Sequence, residues 1–307
     1  MAALARPPDR FLDTTPTGEV GSSPIGVLRA GPDQRLESNM PSISANGVEL
    51  HYDDVGAGPQ TIVFIHGLML ASDSFEAQRE AFKATHRVIT FDLRGQGRSQ
   101  KTRDGLDLDT LARDTAALIK QLAVAPCHVV GFSMGSFVAM RLAARHPDLV
   151  RSLTLIGPSA DAEEPENLPR YARLIRFVRW FGPTLIAPRM MRILFGDTYL
   201  QSPETAVERA RWLAYLKALP RSLHRAAAAS AGRSAIKGEL VNITAPTLVV
   251  SGEEDRPISP VRAHAVHQGI SNAQFMSFPR TGHAVMIERA DDFNTCLRQF
   301  LEQVQAR

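Results

Sequence analysis

One serine lies in a setting that suits a nucleophile. The pattern G-x-S-x-G spans residues 131–135 with Ser133 at its centre, follows an apolar run and directly precedes a helical segment. Between a strand and a helix, this pattern is typical of a tight turn that lifts the serine hydroxyl above a sheet. Side chains in place of the flanking glycines would collide with the strand and the helix, and the start of a helix favours developing negative charge. The pattern therefore predicts that Ser133 attacks an electrophilic substrate.

Apolar runs before and after this turn predict the strands that position it. A run that is apolar on both faces is typical of a central strand in a parallel sheet. Six such runs occur, at residues 61–67, 87–92, 128–133, 153–157, 247–252 and 273–278. Residues 42–54 instead alternate apolar and polar side chains around Asn46-Gly47, which predicts an antiparallel edge hairpin with a type I′ turn.

Helical patterns separate these strands. A helix that Asp107 or Asp109 can cap runs to Leu122, a second spans Met134 to Arg145, and the last covers about residues 290–305. Alternation of strands and helices predicts the α/β class, with a mostly parallel sheet and helices on both faces.

The alternation stops between residues 158 and 240, where only helical patterns occur. Tyr171, Leu174, Ile175 and Val178 follow the spacing of one helix face. Residues 170–233 carry twelve Arg and Lys against three Asp and Glu, whereas the whole chain has a net charge of only +3. A basic, all-helical insertion between two strands predicts a second small domain.

The first forty residues differ from the rest. They are rich in Pro and Gly, show no helical or strand period, and lack the apolar stretch of a secretory signal. We expect a disordered leader at residues 1–40, and Met40 is a possible alternative start. The composition, 44 % hydrophobic and 22 % charged, is that of a globular protein, and no apolar run is long enough to span a membrane. Two cysteines, Cys127 and Cys296, in apolar surroundings favour free thiols and a cytoplasmic location.

Further motifs make residues 40–305 resemble the α/β-hydrolase superfamily, and its capped serine hydrolases in particular. The chain order Ser, Asp, His is also the order of that superfamily. The matching segments are His66-Gly67, the D-x-R-G-x-G-x-S loop at residues 92–99, the G-x-x-D segment at residues 252–255, and Gly282-His283. The resemblance implies a core of residues 41–157 and 241–307 and a helical cap, or lid, of residues 158–240.

The resemblance also implies a catalytic triad. A serine hydroxyl needs a base to take its proton, and the imidazole of that base needs a carboxylate to orient it. The matching positions make His283 the base and Asp255 the carboxylate. Asp161 is an alternative acid, since some members place it after the preceding strand, and Glu253 and Glu254 are neighbouring rivals.

Two backbone N–H groups should stabilise the oxyanion of the tetrahedral intermediate. In the superfamily pattern they belong to Leu68, just after His66-Gly67, and Met134, just after the nucleophile. Residues near the turn at Ser133 and in the helical insertion are expected to form the substrate pocket: His66, Gly67, Phe132, Leu174, Phe177, Val178, Phe181 and Met191.

These residues together predict a cofactor-free serine hydrolase for a small or medium apolar ester or lactone, which acts through an acyl-enzyme. Carbon–carbon bond hydrolases and cofactor-free haloperoxidase-like enzymes carry much the same motifs and stay open. A ligand-binding, receptor-like member of the fold is the alternative without catalysis.

Other ligands are not expected. Gly95-Gln96-Gly97 begins like a dinucleotide loop but has Gln100 where a third glycine is needed. His264 and His267 are spaced like a metal pair but have no third ligand at suitable spacing. The small net charge, with no base-stacking aromatic motif, argues against nucleic-acid binding.

Overall fold

A computed structural model describes residues 41–306, so the predicted leader at residues 1–40 lies outside the described residues. Within this range one sheet has the strand order β1-β2-β4-β3-β5-β6-β7-β8. Its strands are β1 (Ser42–Ala45), β2 (Val48–Val55), β3 (Thr61–Ile65), β4 (Arg87–Phe91), β5 (Cys127–Phe132), β6 (Val150–Ile156), β7 (Thr247–Gly252) and β8 (Ala273–Phe278).

The predicted edge hairpin is confirmed. β1 pairs antiparallel with β2, and Asn46 and Gly47 between them have φ angles of 49° and 73°, as a type I′ turn requires. β2 pairs antiparallel with β4, and every pairing from β4 to β8 is parallel. Strands β5 and β7 are buried along their whole length, which explains why their sequences are apolar on both faces.

Helices cover both faces of this sheet. They are α1 (Glu76–Phe82), α2 (Leu108–Gln121), α3 (Met134–Arg145), α4 (Leu168–Phe181), α5 (Ala187–Leu194), α6 (Asp197–Gln201), α7 (Ala206–Ala218), α8 (Leu223–Ala231), α9 (Pro260–Gly269), α10 (Val285–Glu288) and α11 (Ala290–Gln305). One apolar core lies between the sheet and α2, α3 and α9, and a second lies between the opposite face and α1, α10, α11 and helices α4 to α8. The sheet therefore forms the middle layer, as predicted.

The three helices that the sequence predicts, α2, α3 and α11, begin and end within one residue of their predicted bounds. Asp107 caps α2, because its side chain accepts a hydrogen bond from Thr110 N at 2.8 Å. α3 ends at Arg145, directly before His146-Pro147. The inward face of α11 is buried as predicted, with Phe293 and Leu297 completely covered.

Helices α4 to α8 all lie between β6 and β7, and residues 158–240, every one of which is described, contain no strand. They belong to the same compact unit as the sheet. Their separate status as a cap domain therefore stays a prediction, although their helical nature is confirmed.

Between residues 41 and 306 none of the helices combines the length and apolarity needed to cross a membrane. Both cysteines are free thiols. Burial raises the pKa of the Cys127 thiol to about 12 and that of Cys296 to about 11, so both are poor nucleophiles.

Candidate active site

Ser133 stands in a strained turn between β5 and α3. Its φ of 50° and ψ of −117° are rare for a residue with a side chain. The two glycines of the motif allow this turn: a Cβ on Gly131 would lie 2.5 Å from Gly135 O, and one on Gly135 would lie 2.1 Å from Ile65 O. The turn fits against β3 only because these positions lack side chains.

Asp255 and His283 meet next to this turn. Asp255 lies just beyond β7 and His283 just beyond β8, at the carboxyl ends of neighbouring parallel strands. His283 Nδ1 is 2.6 Å from Asp255 Oδ2, and the other carboxylate oxygen accepts from Ile258 N at 2.9 Å. Because a carboxylate only accepts, Nδ1 carries the proton, and Nε2 is free to act as a base in the neutral ring.

Two features of neighbouring strands hold the His283 ring. Phe132 packs against it, with ring centroids 4.8 Å apart. Gly157, just after β6, lies so close that a Cβ there would be 2.7 Å from His283 Cε1. The ring is thus held between an aromatic side chain and a position that requires glycine.

The rival acidic residues have no hydrogen bond to His283 among residues 41–306. Glu254 accepts from Thr198 N at 2.9 Å and Thr198 Oγ1 at 2.6 Å, and so connects to α6. Glu253 is exposed, and the backbone carbonyl of Asp161 accepts from Arg233. Asp255 is the acid that the structure brings to His283.

Leu68 and Met134 occupy two positions beside Ser133. Leu68 lies in the loop after β3, where the next residue, Met69, has a φ of 70°. The N–H of Leu68 has no hydrogen-bond partner among residues 41–306. Met134 is the first residue of α3, where a helix leaves its N–H groups without intrahelical partners. Both donors are therefore available to a ligand at Ser133.

The His66-Gly67 motif has a structural part in this loop. Leu93 N donates to His66 Nε2 at 3.0 Å, so Nδ1 is protonated and donates to Gly67 O at 2.8 Å. Burial lowers the pKa of His66, and the ring is completely covered. His66 therefore acts as a neutral brace between the loops after β3 and β4.

The D-x-R-G-x-G-x-S segment is also structural. The Asp92 carboxylate accepts from Ser72 N and from Arg98 N, both at 2.7 Å. A Cβ on Gly97 would lie 2.3 Å from the same carboxylate, so this glycine serves close packing rather than a phosphate.

Ser133 and His283 open into a cavity of about 780 Å³, within the range of small-molecule sites. Leu68 and Met69 form its edge beside the serine. Apolar side chains of the helical insertion supply much of the opposite wall: Leu174, Ile175, Val178, Ile186, Met190, Ile193, Leu194 and Leu223. The cavity thus lies between the sheet loops and the inserted helices.

Of the predicted pocket residues, Leu174 and Val178 line this cavity, as does Leu68. The other six predicted pocket residues are not part of the cavity wall that residues 41–306 form. His66, Gly67 and Phe132 are buried behind it. Phe132 supports the His283 ring, and a Cβ on Gly67 would lie 3.1 Å from Ser133 Cβ.

The remaining three lie on other helix faces. Phe177 packs against Phe181, with ring centroids 5.1 Å apart, and Phe181 is 65 % exposed. Met191 is buried in the apolar core of α5, while its neighbour Met190 lines the cavity. One residue along a helix turns a side chain by about 100°, which accounts for this difference.

Sequence reasoning missed two charged residues of the site. Arg233 lines the cavity. Glu288, in α10, accepts from Gly282 N at 3.0 Å and from Gly196 N at 3.3 Å, so it joins the His283 loop to the segment between α5 and α6. Burial raises the pKa of Glu288 to about 7, and the nearby carboxylate of Glu254 raises it further. The two N–H donors act in the opposite direction and lower the pKa. No local pattern marks either residue, because their partners are remote in sequence.

His264 and His267 pack on Phe275, with ring centroids 5.4 and 5.7 Å from it. Among the described residues no cluster of three or more His, Cys, Asp or Glu side chains could hold a metal ion.

Comparisons with known proteins agree with this arrangement. The family model for the alpha/beta hydrolase fold matches residues 60–290. The Mycobacterium tuberculosis protein BpoC, whose name describes it as a non-heme bromoperoxidase, is 31 % identical over 84 % of this chain and 100 % of its own.

Two solved structures extend the comparison. A thermophilic esterase from Thermogutta terrifontis is 29 % identical, with a TM-score of 0.79 over 87 % of this chain and 99 % of its own. The enol-lactonase from Burkholderia xenovorans is 26 % identical, with a TM-score of 0.78 over 85 % of this chain and 100 % of its own. The chain therefore belongs to the alpha/beta hydrolase family.

Proposed function

We propose that this protein is a serine hydrolase that cleaves carboxylic esters, including lactones, through an acyl-enzyme. The observation that carries the proposal is the 2.6 Å contact between His283 and Asp255, beside a strained Ser133 that opens into the same cavity. A positioned base, an orienting carboxylate and an exposed hydroxyl are the groups that acyl transfer requires.

In the first half of the reaction, Ser133 Oγ attacks the ester carbonyl while His283 Nε2 takes its proton. Asp255 stabilises the imidazolium that forms. The N–H groups of Leu68 and Met134 donate hydrogen bonds to the oxyanion, and one such donor is worth about 3 kcal/mol in the transition state. His283 then returns the proton to the departing alcohol.

In the second half, water attacks the acyl group on Ser133. His283 again takes a proton, now from the water, and the acid leaves when Ser133 recovers its hydrogen. The same donors serve both tetrahedral intermediates, so no further group is needed.

The cavity supports a small or medium ester. Its volume of about 780 Å³ exceeds what an acetyl group fills, and its apolar wall suits an alkyl or aryl chain. The enol-lactonase and esterase relatives support an ester bond as the scissile one. Carbon–carbon cleavage and haloperoxidase-like chemistry would use the same serine and histidine.

A panel of substrates, assayed with the wild type and with Ser133→Ala, tests the proposal. The panel holds p-nitrophenyl esters of increasing acyl length, lactones, and a vinylogous diketone for carbon–carbon cleavage. The wild type should hydrolyse at least one ester or lactone, and Ser133→Ala should lower kcat by roughly 10³-fold or more.

Ser277→Ala is a matched control, since this serine is exposed on β8. Cleavage of the diketone alone would contradict ester hydrolysis and indicate a carbon–carbon bond hydrolase. Ligand binding without turnover of any substrate would favour the receptor-like alternative.

We expect the protein to work in the cytoplasm, on a small-molecule substrate and with no nucleic-acid partner. The two free thiols support a reducing compartment.

A further inference from the structure

The wall of the cavity is unusually basic. Two carboxylates, Glu163 and Asp197, contribute to it. Five arginines do so as well: Arg170, Arg189, Arg192, Arg233 and Arg256. A wall with this excess attracts an anionic ligand.

Arg233 differs from the other four because it is buried, with only 4 % of its side chain exposed. Its Nε donates to Asp161 O at 3.1 Å. Its Nη1 donates to Glu163 Oε2 and to Ser230 O, both at 3.1 Å. The guanidinium lies over the Phe137 ring, 4.8 Å from the centroid. Three fixed contacts and one stacked face hold this arginine in a single orientation.

The remaining nitrogen, Nη2, is buried and has no hydrogen-bond partner among residues 41–306. A buried donor without a partner is costly, and native proteins pair nearly all of them. Arg233 lines the cavity, so a shift of its guanidinium toward the cavity would let an acceptor on a bound ligand supply the missing partner. Carboxylate is one of the acceptors with which guanidinium forms strong, charge-assisted hydrogen bonds.

Phe137 lines the same cavity as Ser133 and Arg233. It stands one helical turn beyond Ser133 in α3, about 6 Å along the helix axis. Arg233 stacks on that ring and lines the same cavity as Ser133, so one ligand could contact both residues. The acyl part of the substrate is the portion that extends from the scissile carbonyl.

We propose that Arg233 binds a carboxylate on the acyl part of the substrate, so that the preferred substrates are half-esters of dicarboxylic acids or lactones that bear a carboxylate. The inference rests on the proposed ester hydrolysis. Glu163 neutralises the Nη1 side of Arg233, and the other arginines of the wall keep the site attractive to an anion.

A pair of substrates with nearly the same shape tests this preference. Monobenzyl glutarate carries the carboxylate, and benzyl 5-methylhexanoate replaces it with an isopropyl group. Release of benzyl alcohol is measured by chromatography for both. The wild type should show a kcat/KM for the half-ester at least about 10-fold above that for the neutral ester. Equal values would overturn the proposal.

Variants of the arginine locate the effect. Arg233→Met should lower the ratio of the kcat/KM values, half-ester over neutral ester, by about 10- to 100-fold. Arg233→Lys should keep part of the preference, because it retains the charge but not the fork of donors. Arg173→Met is the matched control on the outer face of α4 and should leave the preference unchanged. Equal loss on both esters in a folded Arg233→Met protein would show a structural role and overturn the proposal.

A binding measurement separates this inference from the proposed function. Calorimetry with Ser133→Ala, which cannot form the acyl-enzyme, should show tighter binding of monobenzyl glutarate than of the neutral ester. Should the wild type hydrolyse neither ester while this difference persists, ester hydrolysis fails and the carboxylate site stands. Should both esters be hydrolysed but bound equally, the carboxylate site fails and ester hydrolysis stands. Neither outcome requires Arg233→Met to fold.

Discussion

Replacing Glu288 with glutamine should change how the stability of the protein depends on pH. The Glu288 carboxylate is partly buried and accepts from the N–H groups of Gly196 and Gly282. Burial raises its pKa from the usual 4.5 to about 7. Each unit of such a difference corresponds to about 1.4 kcal/mol, so the carboxyl couples folding to proton binding.

The direction follows from proton counts. Between the unfolded pKa near 4.5 and the folded pKa near 7, the folded protein holds a proton that the unfolded chain has lost. Stability from this group is therefore full at low pH and is lost as the pH rises through that window. The loss is at most about 3 kcal/mol, and solvent at the partly exposed carboxyl makes it smaller. Glutamine does not titrate, so Glu288→Gln removes this loss.

Urea unfolding of the wild type and Glu288→Gln at pH 5, 6, 7 and 8 measures the effect. The free energy of unfolding of the variant, relative to wild type, should rise by about 1 to 3 kcal/mol from pH 5 to pH 8. Glu302→Gln, at an exposed position of α11, should give no such slope. Parallel pH profiles for the wild type and Glu288→Gln would refute this reasoning.

Two further substitutions test the geometry around His283. Asp255→Asn keeps an acceptor for Ile258 N but not the carboxylate, so kcat for a p-nitrophenyl ester should fall by about 10³- to 10⁴-fold with the fold intact; a loss below tenfold in steady-state kinetics would contradict the role of Asp255. Gly157→Ala places a Cβ 2.7 Å from His283 Cε1 at a φ of +56°, so kcat should fall by at least about tenfold. Gly238→Ala, where a Cβ meets open space, should match wild type, and an equal effect of the two changes would contradict a specific displacement of the ring.

The sequence predicts the sheet well because its signal is local. β7 and β8 begin and end at the predicted residues, since each apolar run is bounded by turn residues. β6 begins at Val150, before the predicted run at residues 153–157, because Arg151 is exposed at the strand end and interrupts the apolar pattern. The turn at Asn46-Gly47 is equally local, and its two positive φ angles are a property of those residues.

The pocket was harder to predict than the contact between Asp255 and His283. β7 and β8 are consecutive in the chain and pair in parallel, so the residues that follow their carboxyl ends come together. The packing of α4 and α5, in contrast, decides which of their side chains line the cavity. Hence Val178 lines it while Phe181, on the same helix, is exposed to solvent.

The contacts of Arg233 and Glu288 are even harder to predict from the sequence. The unpartnered Nη2 of Arg233 exists only because Asp161, Glu163 and Ser230 take its other donors, and these contacts cross from the loop after β6 to the end of α8. The spacing of residues along the chain does not predict a contact between such distant segments. A count of arginines in residues 170–233 identifies the charge but not the one that is buried.

The central claim is that Ser133 is the nucleophile of an acyl transfer. A fluorophosphonate probe, followed by mass spectrometry of the digested protein, tests it most directly. We expect one stoichiometric adduct on Ser133 of the wild type, slow labelling of His283→Ala, and no adduct in Ser133→Ala. Labelling of another residue, or ester hydrolysis by Ser133→Ala at the wild-type rate, would contradict it.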